Sequence, residues 1–315
     1  MMKRAFILVV VVVIVLLPAS LRGQTAPALF LTLPADARSS GMGGGGAAIP
    51  GGAFSIFHAP SALSLPGERV AAGISRAPSL RALLPGGYLD AAAVALRVND
   101  RAGVAAGFRR RSHPRVESLD NNGQPVGTIH PVEWATEIAY AYRLPAGLGF
   151  SVTGRYTHLN VTGEAVGALA LDAGMYYREL FLSLPGATWA IAFHAENLAS
   201  KITRDAYLPA RATLGGAIAL PVSDGELAGS LDLVYTFIPA RSAHMETAVG
   251  AEYNLRYWSL RAGYRDGGGH KGIDDHASVG CTARLLPVAV HFAYWITSPS
   301  SALKNTWQLS LDFSW

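Results

Sequence analysis

EWATEIAYAYRLPAGLGFSVTGRY, residues 133–156, decides how this chain is read. Its first half places Trp134, Thr136, Ile138, Tyr140, Tyr142 and Leu144 at even positions. Glu133, Ala135, Glu137, Ala139, Ala141 and Arg143 take the odd ones. One face is large and apolar, the other small or charged, at the two-residue period of a β-strand. Pro145-Ala146 interrupts the pattern, which resumes with Leu148, Phe150, Val152 and Tyr156 against Gly149, Ser151, Thr153 and Arg155. Two amphipathic strands joined by a tight turn make an antiparallel hairpin.

The pattern extends outward from this hairpin. Leu227, Leu231, Leu233, Tyr235 and Phe237 oppose Ala228, Ser230, Asp232 and Thr236. Met245, Val249 and Tyr253 oppose Glu246, Gly250 and Glu252, and Val288, Val290, Phe292, Tyr294 and Ile296 form another apolar row. Strands are expected at 68–77, 89–98, 102–111, 133–144, 147–157, 166–178, 188–197, 210–220, 226–237, 244–254, 256–266, 275–285, 287–297 and 304–315. Each is long enough to cross a bilayer as a tilted strand. Every second link is short: Asn99-Asp100-Arg101, Pro145-Ala146, residues 184–187, Ser223-Asp224-Gly225, Leu255 and Leu286. The others are longer: 78–88, 112–132, 158–165, 198–209, 238–243, 267–274 and 298–303. Fourteen strands with this asymmetry predict an all-β, antiparallel transmembrane barrel with short periplasmic turns and longer outer loops. Both barrel ends then fall on the periplasmic side of the outer membrane.

Composition agrees. Half of the 315 residues are hydrophobic and only 15% are charged, against about a quarter in soluble domains. No window after the first segment offers 18 consecutive apolar residues, and a closed barrel is the other way to satisfy backbone hydrogen bonds in lipid. Residues 1–23 carry Lys3 and Arg4 before an apolar run from Phe6 to Leu17, then Pro18-Ala19-Ser20. That is the pattern of a secretory signal peptide. Without this segment, 23 basic residues face 22 acidic ones, so nucleic acid is not an expected partner. A single cysteine excludes a disulfide framework and a zinc ribbon. Cys281 falls on an apolar row with Ala277, Val279 and Leu285, an inert lipid-facing position.

Residues 24–67 do not alternate. They are read as a hatch in the periplasmic part of the barrel, residues 68–315. Its candidate residues are Arg38, Gly41, Gly43, Gly44 and Pro60. Gly41, Gly43 and Gly46 formally fit G-x-G-x-x-G, but Asp36, Arg38, Ser39 and Ser40 stand where a dinucleotide site needs an apolar strand. His194-Ala195-Glu196 has the H-x-E of zinc deaminases without a following P-C-x-x-C. No nucleophile elbow, H-E-x-x-H or P-loop is present. No enzyme activity, cofactor or metal is expected. The charged inward positions (Glu133, Glu137, Arg143, Arg155, Arg211, Asp232, Glu246, Glu252, Arg261, Arg265, Arg284 and Asp312) read as a solvated or hatch-binding wall. Trp307, Leu309, Leu311, Phe313 and Trp315 share one face of the last strand. A terminal aromatic on such a strand resembles an assembly signal, carried by Leu309, Leu311, Phe313 and Trp315.

Several passages together resemble the PorV family, FadL-like outer-membrane barrels of the type IX secretion system. They are LPADARSSGMGGGGAAI (33–49), HAPSAL (58–63), PSLRAL (78–83), DNNGQPVGTIHPVEWATEIAYAYRL (120–144), LDAGMYY (171–177), ENLASKI (196–202), YLPARATLGG (207–216), GAEYNLRYWSLRAGYRDGGGHKG (250–272) and ALKNTWQLSLDF (302–313). Single pieces, such as the glycine-rich one, are shared with the sister PorQ family. His58-Ala59-Pro60 departs from the family's Asn-Pro-Ala, and the loops after strands nine and eleven are short. The resemblance implies a carrier. It would associate with an SprA-type translocon barrel, accept cargo bearing a C-terminal secretion domain, and deliver it to a PorU-type sortase attachment complex, all within outer-membrane lipid. Loops 78–88, 112–132 and 198–209 would be the contact surfaces. The alternative is a FadL-like transporter of hydrophobic compounds, which needs an apolar pocket continuous from the loops into the lumen.

Overall fold

Ile138 is 69% exposed while its neighbours Glu137 and Ala139 are 1% and 0% exposed. That inversion runs around the whole molecule, a computed structural model describing residues 28–79, 86–119, 124–160, 165–198, 202, 207–239, 243–269, 275–301 and 303–315. The strands are β1 Val70–Pro78, β2 Tyr88–Arg97, β3 Ala102–Ser112, β4 Val116–Leu119, β5 Pro125–Ile129, β6 Val132–Arg143, β7 Gly149–Asn160 and β8 Ala165–Leu180. They continue as β9 Thr188–Leu198, β10 Ala210–Val222, β11 Gly225–Ile238, β12 His244–Asn254, β13 Trp258–Asp266, β14 His276–Leu285, β15 Val288–Thr297 and β16 Trp307–Ser314. All but β4 and β5 form one closed antiparallel barrel, each strand paired with its neighbours in sequence. Closure runs from Ala71 opposite Ser314 to Arg76 opposite Leu309. Val70 and Trp315 exchange two backbone hydrogen bonds of 2.8 Å at its end. No edge is left open, which is what lipid demands of a sheet.

The fourteen expected barrel strands are all present, with three adjustments. Residues 112–132 are not a plain loop, because β4 and β5 form a separate hairpin there. Its Pro125-Val126-Gly127-Thr128 lacks the large-small alternation that marks the wall strands. β13 starts at Trp258 because Leu255 donates to the Trp258 carbonyl at 2.9 Å, closing a turn over 255–258. β16 starts at Trp307, since Lys304 and Thr306 donate to Ser301 and Leu303 (3.2 and 3.3 Å) and Asn305 turns left-handed at φ 59°.

One end of the barrel carries tight turns. Asn99 shows how: its side-chain oxygen accepts from the Arg101 and Ala102 amides at 2.8 and 2.9 Å, an Asx-turn that reverses the chain. Longer links gather at the other end. The outer face carries Ile138, Leu169, Leu231, Met245, Val249 and Ile296, all exposed. Cys281 is exposed on the same face. Leu309, Leu311, Phe313 and Trp315 are exposed there as well.

Residues 28–67 run through the lumen. Phe30 and Leu31 pack with Leu89, Leu159 and Leu208 near the long-loop end. Phe54, Ile56 and Phe57 pack with Ala71, Ala93 and Ala105 farther down, and Ala62 joins Tyr176 and Ala190 toward the tight turns. The expected confinement to the tight-turn part of the barrel is therefore corrected. The small inward residues leave room for the segment along the full height of the wall.

Candidate functional site

The lumen is where the polar chemistry of this chain converges. Many inward positions hold very small residues, which admit the N-terminal segment, and others hold charged or polar ones, which grip it. A Cβ on Gly263 of β13 would stand 2.2 Å from the Gly43 nitrogen and the Met42 carbonyl carbon. One on Gly103 of β3 would stand 2.4 Å from the Leu63 oxygen. Only hydrogen fits at such contacts.

The grip begins at Asp36. Its Oδ1 accepts from the amides of Arg38 and Ser39, both at 2.9 Å, capping the one-turn helix Ala37–Gly41. The cap aims Arg38 at the wall, where its Nη2 meets Glu252 Oε2 at 2.7 Å and its Nη1 donates to the Pro50 carbonyl at 2.7 Å. Burial opposes the Arg38 charge, but the Glu252 carboxylate prevails and raises its pKa above the usual guanidinium value. Arg261 shares Glu252, with Nε 2.5 Å from Oε1. Gly41 lies against Gly280 of β14, a Cβ there meeting the Gly280 Cα at 3.2 Å. Gly43, at φ 71°, donates to Ser278 Oγ at 2.9 Å. Gly44, at φ 74°, and Gly43 offer their carbonyls to Arg265 at 3.4 Å. Pro60 is buried and opens the short 3-10 helix Pro60–Ser64. All five candidate hatch residues thus lie inside the barrel.

Residues beyond those five hold the segment too. Asp232 Oδ2 accepts from the Gly46 and Ala47 amides at 2.8 and 2.9 Å. Ser310 Oγ accepts from the Ala37 amide at 2.8 Å, and Ser40 pairs with Gln308. Tyr176 donates to the Ala48 carbonyl at 3.0 Å. Arg109 and Arg211 donate to the carbonyls of Leu31 and Thr32 at 3.0 and 3.2 Å. Backbone groups of the segment carry no side-chain signature, so these wall partners could not be matched to it from sequence. The available signal was glycine at inward positions of three successive strands, Gly250, Gly263 and Gly280.

The wall itself is cross-linked by charge. Arg109 donates twice to Glu137 Oε1 (3.0 and 2.5 Å), and Arg155 reaches Glu137 Oε2 at 3.1 Å and Asp172 Oδ2 at 2.7 Å. Arg211 holds Glu196 at 2.5 Å and Arg265 holds Glu246 at 2.5 Å. Such buried pairs survive because each charge has several hydrogen bonds. The H-x-E pair resolves accordingly: His194 and Glu196 are both buried in the lumen, with Glu196 engaged by Arg211. Among the described residues no three His, Cys, Asp or Glu side chains are grouped to hold a metal.

Two cavities border the segment. One of about 50 Å³ lies between it and the wall, lined by His58, Glu196, Arg211, Asp232 and Arg265 among others. The other, of about 530 Å³, opens at the tight-turn end beside Arg38, Phe54, Arg284 and Asp312. Of the expected contact loops, residues 80–85, 120–123, 199–201 and 203–206 lie outside the described residues.

Comparison with known proteins places this arrangement. No curated protein matches the chain. Among solved structures, the Pseudomonas putida toluene transporter TodX superposes with a TM-score of 0.58 at 13% identity, over 89% of this chain and 96% of that one. The CymD monoaromatic hydrocarbon channel gives a TM-score of 0.54 at 13% identity, over 92% and 99%. A FadL homologue of Pseudomonas aeruginosa gives 0.50 at 12%, over 89% and 98%. At these identities the likeness is one of fold: a FadL-like barrel of the outer membrane. The family model described as "Type IX secretion system protein PorV" matches residues 19–240. The chain belongs to the PorV family of type IX secretion system proteins, built as a FadL-like outer-membrane β-barrel.

Proposed function

We propose that this barrel is a carrier of the secretion system. It binds the C-terminal domains of secreted cargo at an SprA-type translocon and passes them to a PorU-type surface attachment complex. In this reading the tight turns and both barrel termini face the periplasm, and cargo meets the long loops. The work is binding and hand-over, not catalysis.

Family membership supports the system, and one structural observation supports a carrier over a conduit. Residues 28–67 fill the lumen and are tied to the wall through Arg38–Glu252 and through Asp232 on the Gly46 and Ala47 amides, leaving a space of about 50 Å³ beside Glu196 and Arg211 and one of about 530 Å³ at the tight-turn end. The larger space is within the size of small-ligand sites, about 300–1,000 Å³, but it opens at the tight-turn end and not from the long loops. A transporter of hydrophobic compounds, the reading that the fold neighbours favour, would require the segment to move and these charges to be uncovered.

Deletion of the gene in its own host tests the proposal. Exported proteins that share one C-terminal sandwich domain should disappear from the surface and accumulate in the periplasm. Normal surface display, with lost uptake of a hydrophobic compound, would contradict it and support the transporter.

A further inference from the structure

The outer wall is not uniform. Strand register sets Arg76, Asp90, Arg110, Trp134 and His158 side by side on β1, β2, β3, β6 and β7, all on the outward face. The row lies about two residues inside the long-loop ends of these strands. Directly below it come Ile74, Ala92, Phe108, Thr136 and Tyr156, then Ala72, Val94, Ala106 and Ile138. The charged row therefore marks the upper edge of the apolar band, where lipid hydrocarbon gives way to headgroups. The opposite sector presents Tyr235, Met245 and Tyr264 outward instead.

Arg76 grips Asp90 through two contacts, 2.6 Å and 3.2 Å, and lies 4.8 Å over the Tyr88 ring. The one carboxylate in the row is thereby engaged. The Arg110 side chain is exposed and makes no hydrogen bond or ion pair among the described residues. His158 stacks on Trp134 at 5.2 Å. Immediately beneath, small side chains leave an open groove of about 580 Å³, lined by Ala72, Ile74, Ala92, Ala106, Phe108 and Leu311. A cationic head thus stands over an apolar trough on one stretch of wall.

We propose that this face is a specific site for an anionic, phosphate-bearing lipid. Its phosphate sits on the exposed Arg110 guanidinium, on the side away from Asp90, its sugar backbone, as in lipid A, lies against Trp134 and His158, and one acyl chain fills the groove on β1–β3. Charge complementarity selects the occupant: Arg76 and Asp90 offset each other, and the Arg110 guanidinium is left as the net positive charge at headgroup depth. Continuity selects an amphiphile, since the trough opens directly from the charged row. The proposal rests on residence in the outer membrane and not on the carrier reading.

Purified protein in mild detergent is titrated with diphosphoryl lipid A, with zwitterionic phosphatidylethanolamine, and with inorganic phosphate, and retained lipid is counted by native mass spectrometry. One lipid A per barrel is expected, with phosphatidylethanolamine binding much more weakly and free phosphate failing to displace lipid A. Arg110→Gln should weaken lipid A binding about fivefold. Ala106→Phe, which fills the trough, should weaken it with both arginines intact. Heat-modifiable migration on gels checks that both variants fold. Unchanged binding in either variant, equal binding of phosphatidylethanolamine, or displacement by phosphate alone would overturn the proposal. So would loss of a protein partner in Arg110→Gln with lipid A binding unaltered.

Discussion

Glu137 and Ile138 are adjacent in the chain and face opposite worlds. Glu137 is 1% exposed, bound by Arg109 and Arg155; Ile138 is 69% exposed on the outer wall. The lumen is a dense network of charge, glycine and backbone hydrogen bonds, whereas the outside is a sheet of loosely spaced apolar side chains meeting lipid. Specific pairing therefore lies inside, where the N-terminal segment is held, and the outer face needs only hydrophobicity except where a charge interrupts it.

Substitution at this pair should separate the two faces. Glu137→Ala leaves Arg109 and Arg155 short of a carboxylate in a buried site. It should cost about 3–5 kcal/mol in urea unfolding from micelles, with Glu137→Gln less severe. Ile138→Arg puts a charge on the lipid face and should cost about 2–4 kcal/mol near the bilayer midplane. That loss should appear in bilayers and shrink in short-chain detergent, where the arginine reaches water; the Glu137→Ala loss should not change with the detergent. Equal sensitivity of both to the surrounding amphiphile would break the comparison.

Smaller effects sharpen it. Asp232→Ala deprives the Gly46 and Ala47 amides of their acceptor and should cost about 1–3 kcal/mol. Its clearest readout is faster protease cutting or hydrogen exchange around residues 44–50, with the barrel intact. The smallest effect is expected from His58, deep in the barrel beside Asp36, Arg38, His194 and Glu196. Burial, then Arg38 and His194, lower its pKa against the opposing pull of Asp36 and Glu196. A histidine held below its unfolded value of 6.5 contributes stability that is fully present above that pH and lost as pH falls through the folded value. Docking of the segment should thus weaken on acidification below about 6.5. His58→Gln should flatten that part of the pH profile.

The outer face was readable from sequence because lipid imposes one rule, large and apolar at every second residue, and the tight turns punctuate it. The inner face obeyed the same period, so the inward charges could be assigned to the lumen. Their partners could not. Arg38 and Glu252 are 214 residues apart, and Asp232 binds backbone amides that any sequence would supply. The path of residues 28–33 toward the long loops was missed for a related reason. Leu29-Phe30-Leu31 carries no period, and only the facing wall residues Leu89, Leu159 and Leu208 reveal where it packs. The β4–β5 hairpin escaped because Val116, Glu117 and residues 125–128 are exposed there and follow no burial pattern.

The carrier account is tested most directly by purifying the tagged protein from its own outer membrane in mild detergent and identifying what comes with it. The account predicts a very large barrel, or exported proteins sharing one C-terminal sandwich domain. A lone barrel that retains a fatty or aromatic compound in its lumen would contradict it.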